Sequence, residues 1–492
     1  MQKPVHVLLL YRKYWISFPL MVVILFAACA PRAAQPPQVS SSTKEPAAAA
    51  QHKPAAQAQT GQALLIEQAG TADTFQITII DLQTGKLVNG VEPVALGSEM
   101  NYAFSPDRAR LAMASKGAGC EAACLRIFRL RDLEEIARVD LPGVKYATDY
   151  VHQVVFDAQS ARVAVAYGME GENRVAVIDT AGEDARVVQD AAISVFSRLI
   201  TFTAEGSQIM VIGHVLPEDS VTAGDTEPLL QAQLLNADSL RIVWQQDLPA
   251  VRNGFFGSGS HEKPEENVYY LSGIAADPAR QRVYIAHADE DRLSTVDFID
   301  KAVTTVAVRD SQGLFERVLE FVFTAGARTA RAKAMNSYTR QVLLSRDGKT
   351  LYVVGEQNQM IQKSDTEWES VYKPLGLEAW ELESGTRLAA IDTSASEIRW
   401  APDGKILLNG YDRDSSGYQP YTEIYDPAAA QITARLNDTY AYTTPRLNGD
   451  LVLVSIFTQD QSRTFASVVD GKAMQPVSSW RVDGYAFWPE YR

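Results

Sequence analysis

The stretch Ser345-Arg346-Asp347-Gly348-Lys349-Thr350-Leu351-Tyr352-Val353-Val354 is a tight turn followed by an apolar, aromatic and β-branched run. Asp-Gly sets the reversal, and the run that follows has the composition of a strand. Outward from this point the same pair recurs. Phe104-Ser105-Pro106-Asp107 precedes a run over residues 110–115, Phe156-Asp157 precedes 162–167, and a turn ending at Gly206 precedes 208–213. Ala276-Asp277-Pro278, Ala401-Pro402-Asp403-Gly404 and Leu447-Asn448-Gly449 open further runs. Repetition at this spacing signals one structural unit used many times.

Each unit has a second half, as in residues 77–88, 125–139, 377–391 and 463–477. Its turns are explicit: Asp81-Leu82-Gln83-Thr84-Gly85-Lys86 and Glu383-Ser384-Gly385-Thr386 place glycine where a short hairpin needs a positive φ. The runs are apolar throughout rather than alternating, which means both faces of each small sheet are covered. The last unit, Tyr485-Ala486-Phe487-Trp488-Pro489, stops without its run, while residues 63–67 are a run without its leading strand. The two ends complete each other. Joining them closes a ring and leaves no open sheet edge. The reading is an all-β, eight-bladed β-propeller over residues 61–492, closed by the C-terminal strand in the first blade, with seven blades as the alternative count.

Asp347-Gly348-Lys349-Thr350-Leu351-Tyr352-Val353, Ser105-Pro106-Asp107 and Val177-Ile178-Asp179-Thr180 resemble the repeat of YVTN-type, lactonase-like and WD40-like bacterial β-propellers. The resemblance spans about residues 62–492 and rests on scaffold positions, so it implies a fold and not an activity. Lactonase-like members hold a divalent cation near the axis, but their ligand set does not map onto specific positions of this chain.

Loop lengths assign the working face. In a four-stranded meander the second-to-third-strand loops and the blade-to-blade connections share one side. The long segments 215–229, 356–373, 412–420, 250–266 and 310–337 all fall there. Elaboration on one side of a rigid scaffold suits binding, and Phe255, Phe256, His261, Trp368, Tyr372, Tyr411, Tyr418 and Tyr421 supply amphipathic anchors for a protein or glycan. Within 310–337, between blades five and six, Leu314, Phe315, Val318, Leu319, Val322 and Phe323 recur at helical spacing. A short amphipathic helix is expected there.

The N-terminus is an address. Lys3, Arg12 and Lys13 precede an apolar segment of signal-peptide length, and Leu25-Phe26-Ala27-Ala28-Cys29 resembles the lipobox of bacterial lipoproteins. The resemblance implies cleavage after residue 28, a diacylglycerol thioether on Cys29, and export to a membrane surface. Residues 29–60 are Ala, Pro, Gln and Ser with almost no large apolar side chain, the composition of a disordered tether. Cys120 and Cys124 are then the remaining cysteines, and in an exported chain they are expected to pair. A loop this short contributes about 2 kcal/mol or less.

The chain carries 46 basic and 60 acidic residues, and without the signal segment 43 basic residues leave a net charge of −17. That balance excludes nucleic-acid binding as the function class. Histidine is scarce. His214, His261 and His287 with Asp289 form the one candidate set for a divalent metal, drawn from different blades. No phosphate-cradling Gly-rich loop or nucleophile elbow is present. The expectation is a non-enzymatic, lipid-anchored module without cofactor, contacting the bilayer through acylated Cys29 and an unidentified protein or glycan through its loop face. A metal-dependent lactonase-like hydrolase and a structural component of envelope assembly are the alternatives, and the oligomeric state is not legible.

Overall fold

A computed structural model describes residues 61–68, 74–116, 120, 123–142, 150–169, 172–182, 185–215, 229–256, 268–310, 334–362, 368–414, 417–460, 463–483 and 485–491. Strands build nearly all of it, and no helix occurs among these residues. The signal segment, Cys29, the tether and the expected helix at 314–323 lie outside them.

Eight four-stranded antiparallel meanders are arranged as a ring. Their innermost strands are Ala486–Phe487, the second part of Val94–Phe104, Tyr150–Phe156, Val195–Phe202, Gly273–Asp277, Ala334–Leu344, Ala395–Trp400 and Tyr440–Pro445. Val94–Phe104 is shared: its start pairs with Phe75–Asp81 in blade one, and residues from Ser98 onward pair with Arg110–Lys116 in blade two. Ring closure follows the expectation, with Ile66 opposite Phe487 and Glu67 opposite Ala486.

The cores lie between blades, one at each of the eight junctions. Strand Gln62–Gln68 shows why continuous hydrophobicity was needed. Leu64 and Ile66 pack toward Leu111 and Met113 of blade two, while Ala63 and Leu65 pack toward Val452 and Val454 of blade eight. Successive residues of one strand therefore serve two different cores. Eight such junctions settle the blade count against seven.

Arginines stitch the short-turn face. Arg110 stacks on Phe156 of the next blade, 5.6 Å from its ring centre, and donates to the Thr180 carbonyl at 2.8 Å. Arg162 repeats this one blade on, 5.4 Å from Phe202 with a 2.5 Å bond to the Gly206 carbonyl. Arg346 lies over Trp400 at 5.3 Å. Each pairing buries an apolar ring under a cation whose charge stays at the rim.

Two expected loops are sheet. Residues 356–362 and 368–373 belong to a tall antiparallel pair in which Thr350–Gln362 pairs with Trp368–Glu381 out to Gln362 opposite Trp368. Residues 412–414 and 417–420 continue the pairing of Ile406–Asp414 with Gly417–Asp426. Long polar stretches read as loops here because hairpin extensions beyond the core need no apolar pattern. Residues 334–337, assigned to the insertion, belong to the first strand of blade six, where Asn336–Thr339 also pair in parallel with Val268–Leu271.

Candidate functional site

The loop-face mouth of the central channel gathers polar side chains that the innermost strands carry inward. Four of these strands contain a bulge at this end. Register breaks between Ser98 and Met100, Val151 and Gln153, Ser197 and Leu199, and Ala395 and Glu397 leave Glu99, His152, Arg198 and Ser396 as the extra residues. Bulges release a residue from the strand's alternation and re-aim its side chain. Facing strands accommodate them with glycine: a Cβ on Gly213 would lie 2.5 Å from the Phe196 carbonyl oxygen, and one on Gly410 would lie 2.6 Å from that of Ser394. Between bulged strands, Gln153 donates to the Arg198 carbonyl and accepts from the Ile200 amide, both at 2.5 Å.

Arg198 is the distinctive group on the arc of blades three to five. Its Nε is buried without a hydrogen-bond partner, and no carboxylate pairs with it among the described residues. Burial lowers its pKa, opposed only by the Tyr269 hydroxyl nearby. An arginine desolvated without a counter-charge is costly and is a site for an anion to enter. His214 stands close by, its Nε2 3.0 Å from Asn253 Nδ2. Burial first and Arg198 second hold His214 at about 4, and burial holds His152 at about 3, so both are neutral at physiological pH.

The opposite arc, blades six to eight and one, has the reverse character. Glu356, Glu397, Tyr372, Tyr411, Tyr440, Tyr442 and Tyr485 come together there. Tyr411 and Tyr440 meet edge to face at 5.0 Å, and Tyr372 donates to the Ser394 carbonyl at 3.2 Å. Burial raises the Glu356 carboxyl pKa, the charge of Glu397 adds to this, and a hydrogen bond from Tyr372 works against it. Burial likewise raises Tyr440 well above the ordinary phenol range. Below them Arg399 bridges Glu397 at 2.6 Å and Glu490 at 2.5 Å.

The residues expected to form the binding face divide. Tyr372 and Tyr411 belong to this cluster. Phe255 and Phe256 lie half-buried on the strand Gly254–Phe256, Phe256 edge-on to Tyr270 at 5.3 Å. Tyr421 is a correction: only 1% exposed, it lies under Arg435 and meets Thr393 Oγ1 at 3.2 Å, a core residue rather than a surface anchor. Trp368 and Tyr418 are in the hairpins, with side chains outside the described part, as is His261.

The expected metal set does not assemble among the described residues, where no three His, Cys, Asp or Glu side chains converge as ligands. His214 faces Asn253, whereas His287 Nε2 is 2.7 Å from Ser294 Oγ in its own blade and Asp289 Oδ2 is 3.7 Å from Arg252. His214 and His287 thus meet different partners, and His261 lies outside the described residues. The neighbouring Asp291 is a lock between blades five and six, bound at 2.6 Å by both Arg340 and Arg387. Cys120 and Cys124 are disulfide-bonded, with Cα atoms 5.8 Å apart.

Arg198, Glu356, Glu397, Arg399, Tyr440, Tyr442, Tyr485 and Glu490 were not singled out from the sequence. The available signal was charge inside the innermost strands, where Arg198, Glu397 and Arg399 interrupt apolar segments.

This is an eight-bladed β-propeller. Among solved structures it is similar to the periplasmic gluconolactonase of Pseudomonas aeruginosa, at 13% identity over 76% of this chain and 95% of that one, with a TM-score of 0.39. A dihydro-heme d1 dehydrogenase is similar at 11% identity, 86% and 74% coverage and a TM-score of 0.47. A putative 6-phosphogluconolactonase from Bacteroides fragilis is similar at 11%, covering 76% and 95%, with a TM-score of 0.37. No family model and no curated protein matches the chain. Likeness at this level concerns fold and transfers no activity.

Proposed function

We propose that the chain is an exported, lipid-anchored binding module that captures a hydroxyl-rich anionic ligand, an acidic glycan, at the loop-face mouth of its channel. The observation that carries this reading is the two-sided lining. Arg198 stands on one arc with no carboxylate partner among the described residues, and carboxylates and tyrosines line the other. An acid group would pair with Arg198, sugar hydroxyls would donate to Glu397, and sugar faces would pack on tyrosine rings. A folded protein partner would meet the hairpin tips rather than this lining. Acylation of Cys29 and the residue 29–60 tether would hold the module off a membrane surface.

The test is binding of acidic and neutral oligosaccharide arrays by the full chain in detergent. Acidic members should bind, and Arg198→Gln should remove the preference for them. No glycan binding, or binding indifferent to Arg198→Gln, ends this reading. Anchoring is tested separately by incorporation of a palmitate analogue, which Cys29→Ala should abolish.

A second reading is a hydrolase, favoured by one observation: Glu356 has the raised pKa that a general acid needs. Lactone or ester turnover lost in Glu356→Gln would support it.

A further inference from the structure

We propose that the opposite, short-turn mouth of the channel is a second binding site, one that takes a small soluble multivalent anion bearing phosphoryl or paired carboxylate groups. A depression of about 630 Å³ there is lined by Arg108, Arg346, Arg446, Asp450 and Tyr491, among others, a volume within the range of small-ligand sites. Arg108 comes from the first turn of blade two and Arg346 from that of blade six. These blades are opposite one another in an eight-membered ring, so the depression lies across the axis.

Two of these arginines differ from the protein's ion-paired ones. Arg126, Arg174, Arg282 and Arg435 each meet a carboxylate. Arg108 instead donates from Nη1 to the Gly449 carbonyl at 2.8 Å and lies 5.2 Å from the Tyr491 ring centre. Arg346 is stacked on Trp400. Neither has a carboxylate partner among the described residues, in a chain with 60 acidic side chains to offer. Arg446 adds a third cation to the wall, and the acidic residue lining it, Asp450, already accepts a 2.9 Å bond from Asn448 Nδ2. Arg108 and Arg346 thus bring two guanidinium groups that no described carboxylate pairs with, which selects a ligand with at least two negative charges. Ring stacking fixes the Arg108 and Arg346 planes and leaves their N–H edges for oxyanions, the geometry in which arginine is selective. The site does not depend on the loop-face reading, because no residue is shared between the two mouths.

Calorimetric titration of the full chain in detergent at low salt, with inorganic pyrophosphate and separately with citrate, tests this. Saturable one-to-one binding of either anion is expected, and which of them binds tells phosphoryl from carboxylate recognition. Arg346→Ala, at an exposed position, and Arg446→Gln should each weaken it by about tenfold, while Arg198→Gln at the other mouth should leave it unchanged. The proposal is overturned if neither anion binds, if both short-turn variants bind like the parent, or if association is confined to phosphatidic acid vesicles.

Discussion

Arg399 Nε lies 2.5 Å from Glu490 Oε1, joining blade seven to the last residues of the chain past blade eight. Glu490 is 7% exposed and its amide donates to the Tyr102 hydroxyl of blade two at 2.9 Å. One short segment thus ties three blades at the closure. Burial alone would lower the Arg399 pKa, but Glu397 and Glu490 together raise it well above the ordinary value.

Breaking this pair should therefore loosen the ring. Glu490→Gln leaves Arg399 with Glu397 alone, and a loss on the order of 2–4 kcal/mol is expected for a buried ion pair deprived of one partner. Chemical denaturation checks it; a midpoint equal to the parent's would show that Glu397 suffices.

Glu356 should be a cost to stability at neutral pH. Its folded-state pKa is raised above the unfolded one, so the folded chain holds its proton more tightly and this group favours folding more as pH falls. Glu356→Gln should raise the melting temperature at pH 8, with a smaller gain at pH 5. A variant less stable at pH 8 would contradict the burial argument.

The buried histidines act with the opposite sign. His152, His214 and His287 titrate at about 3, 4 and 4, below the ordinary value of 6.5, with burial as the leading cause. The unfolded chain binds protons first, so their contribution is complete above pH 6.5 and is lost progressively toward pH 4. Roughly 1–2 kcal/mol per histidine should disappear between pH 6.5 and 5. His287→Asn should flatten the fall, measured as the difference in urea midpoint between pH 7.5 and 5.

Gly85 should tolerate alanine worse than its counterpart in blade six. Both have positive φ, 67° and 68°, but a Cβ on Gly85 would lie 2.3 Å from Trp480 Cγ, and one on Gly385 would lie 3.0 Å from a Val306 methyl. Gly85→Ala is expected to cost roughly 2 kcal/mol or more, and Gly385→Ala less. Equal losses by thermal denaturation would reduce the effect to backbone conformation, which Ala430 with φ 51° already adopts at the matching turn of blade seven.

What was legible in the sequence is what short-range chemistry controls. Asp-Gly turns, apolar runs and the incomplete units at the two ends determine the strands, the ring and its closure, because each depends on a few adjacent residues. Strand Gln62–Gln68 announced two covered faces by its composition alone. The long segment 356–373 did not announce its hairpin, since a two-stranded extension standing clear of the core leaves no periodic trace.

The candidate sites were decided by tertiary structure. Arg198 is one charged residue in an apolar strand until a bulge opposite Gly213 turns it out and the ring brings no acid among the described residues to meet it. Glu356 and Glu397 are 41 residues apart, and only the packing of blade six on blade seven makes the charge of one felt by the other. Arg108 and Arg346 line one depression because their blades are opposed across the axis. Turn chemistry is local and repeats with the sequence. The electrostatics of a channel are a sum over all eight blades, and that sum exists only once the ring has closed.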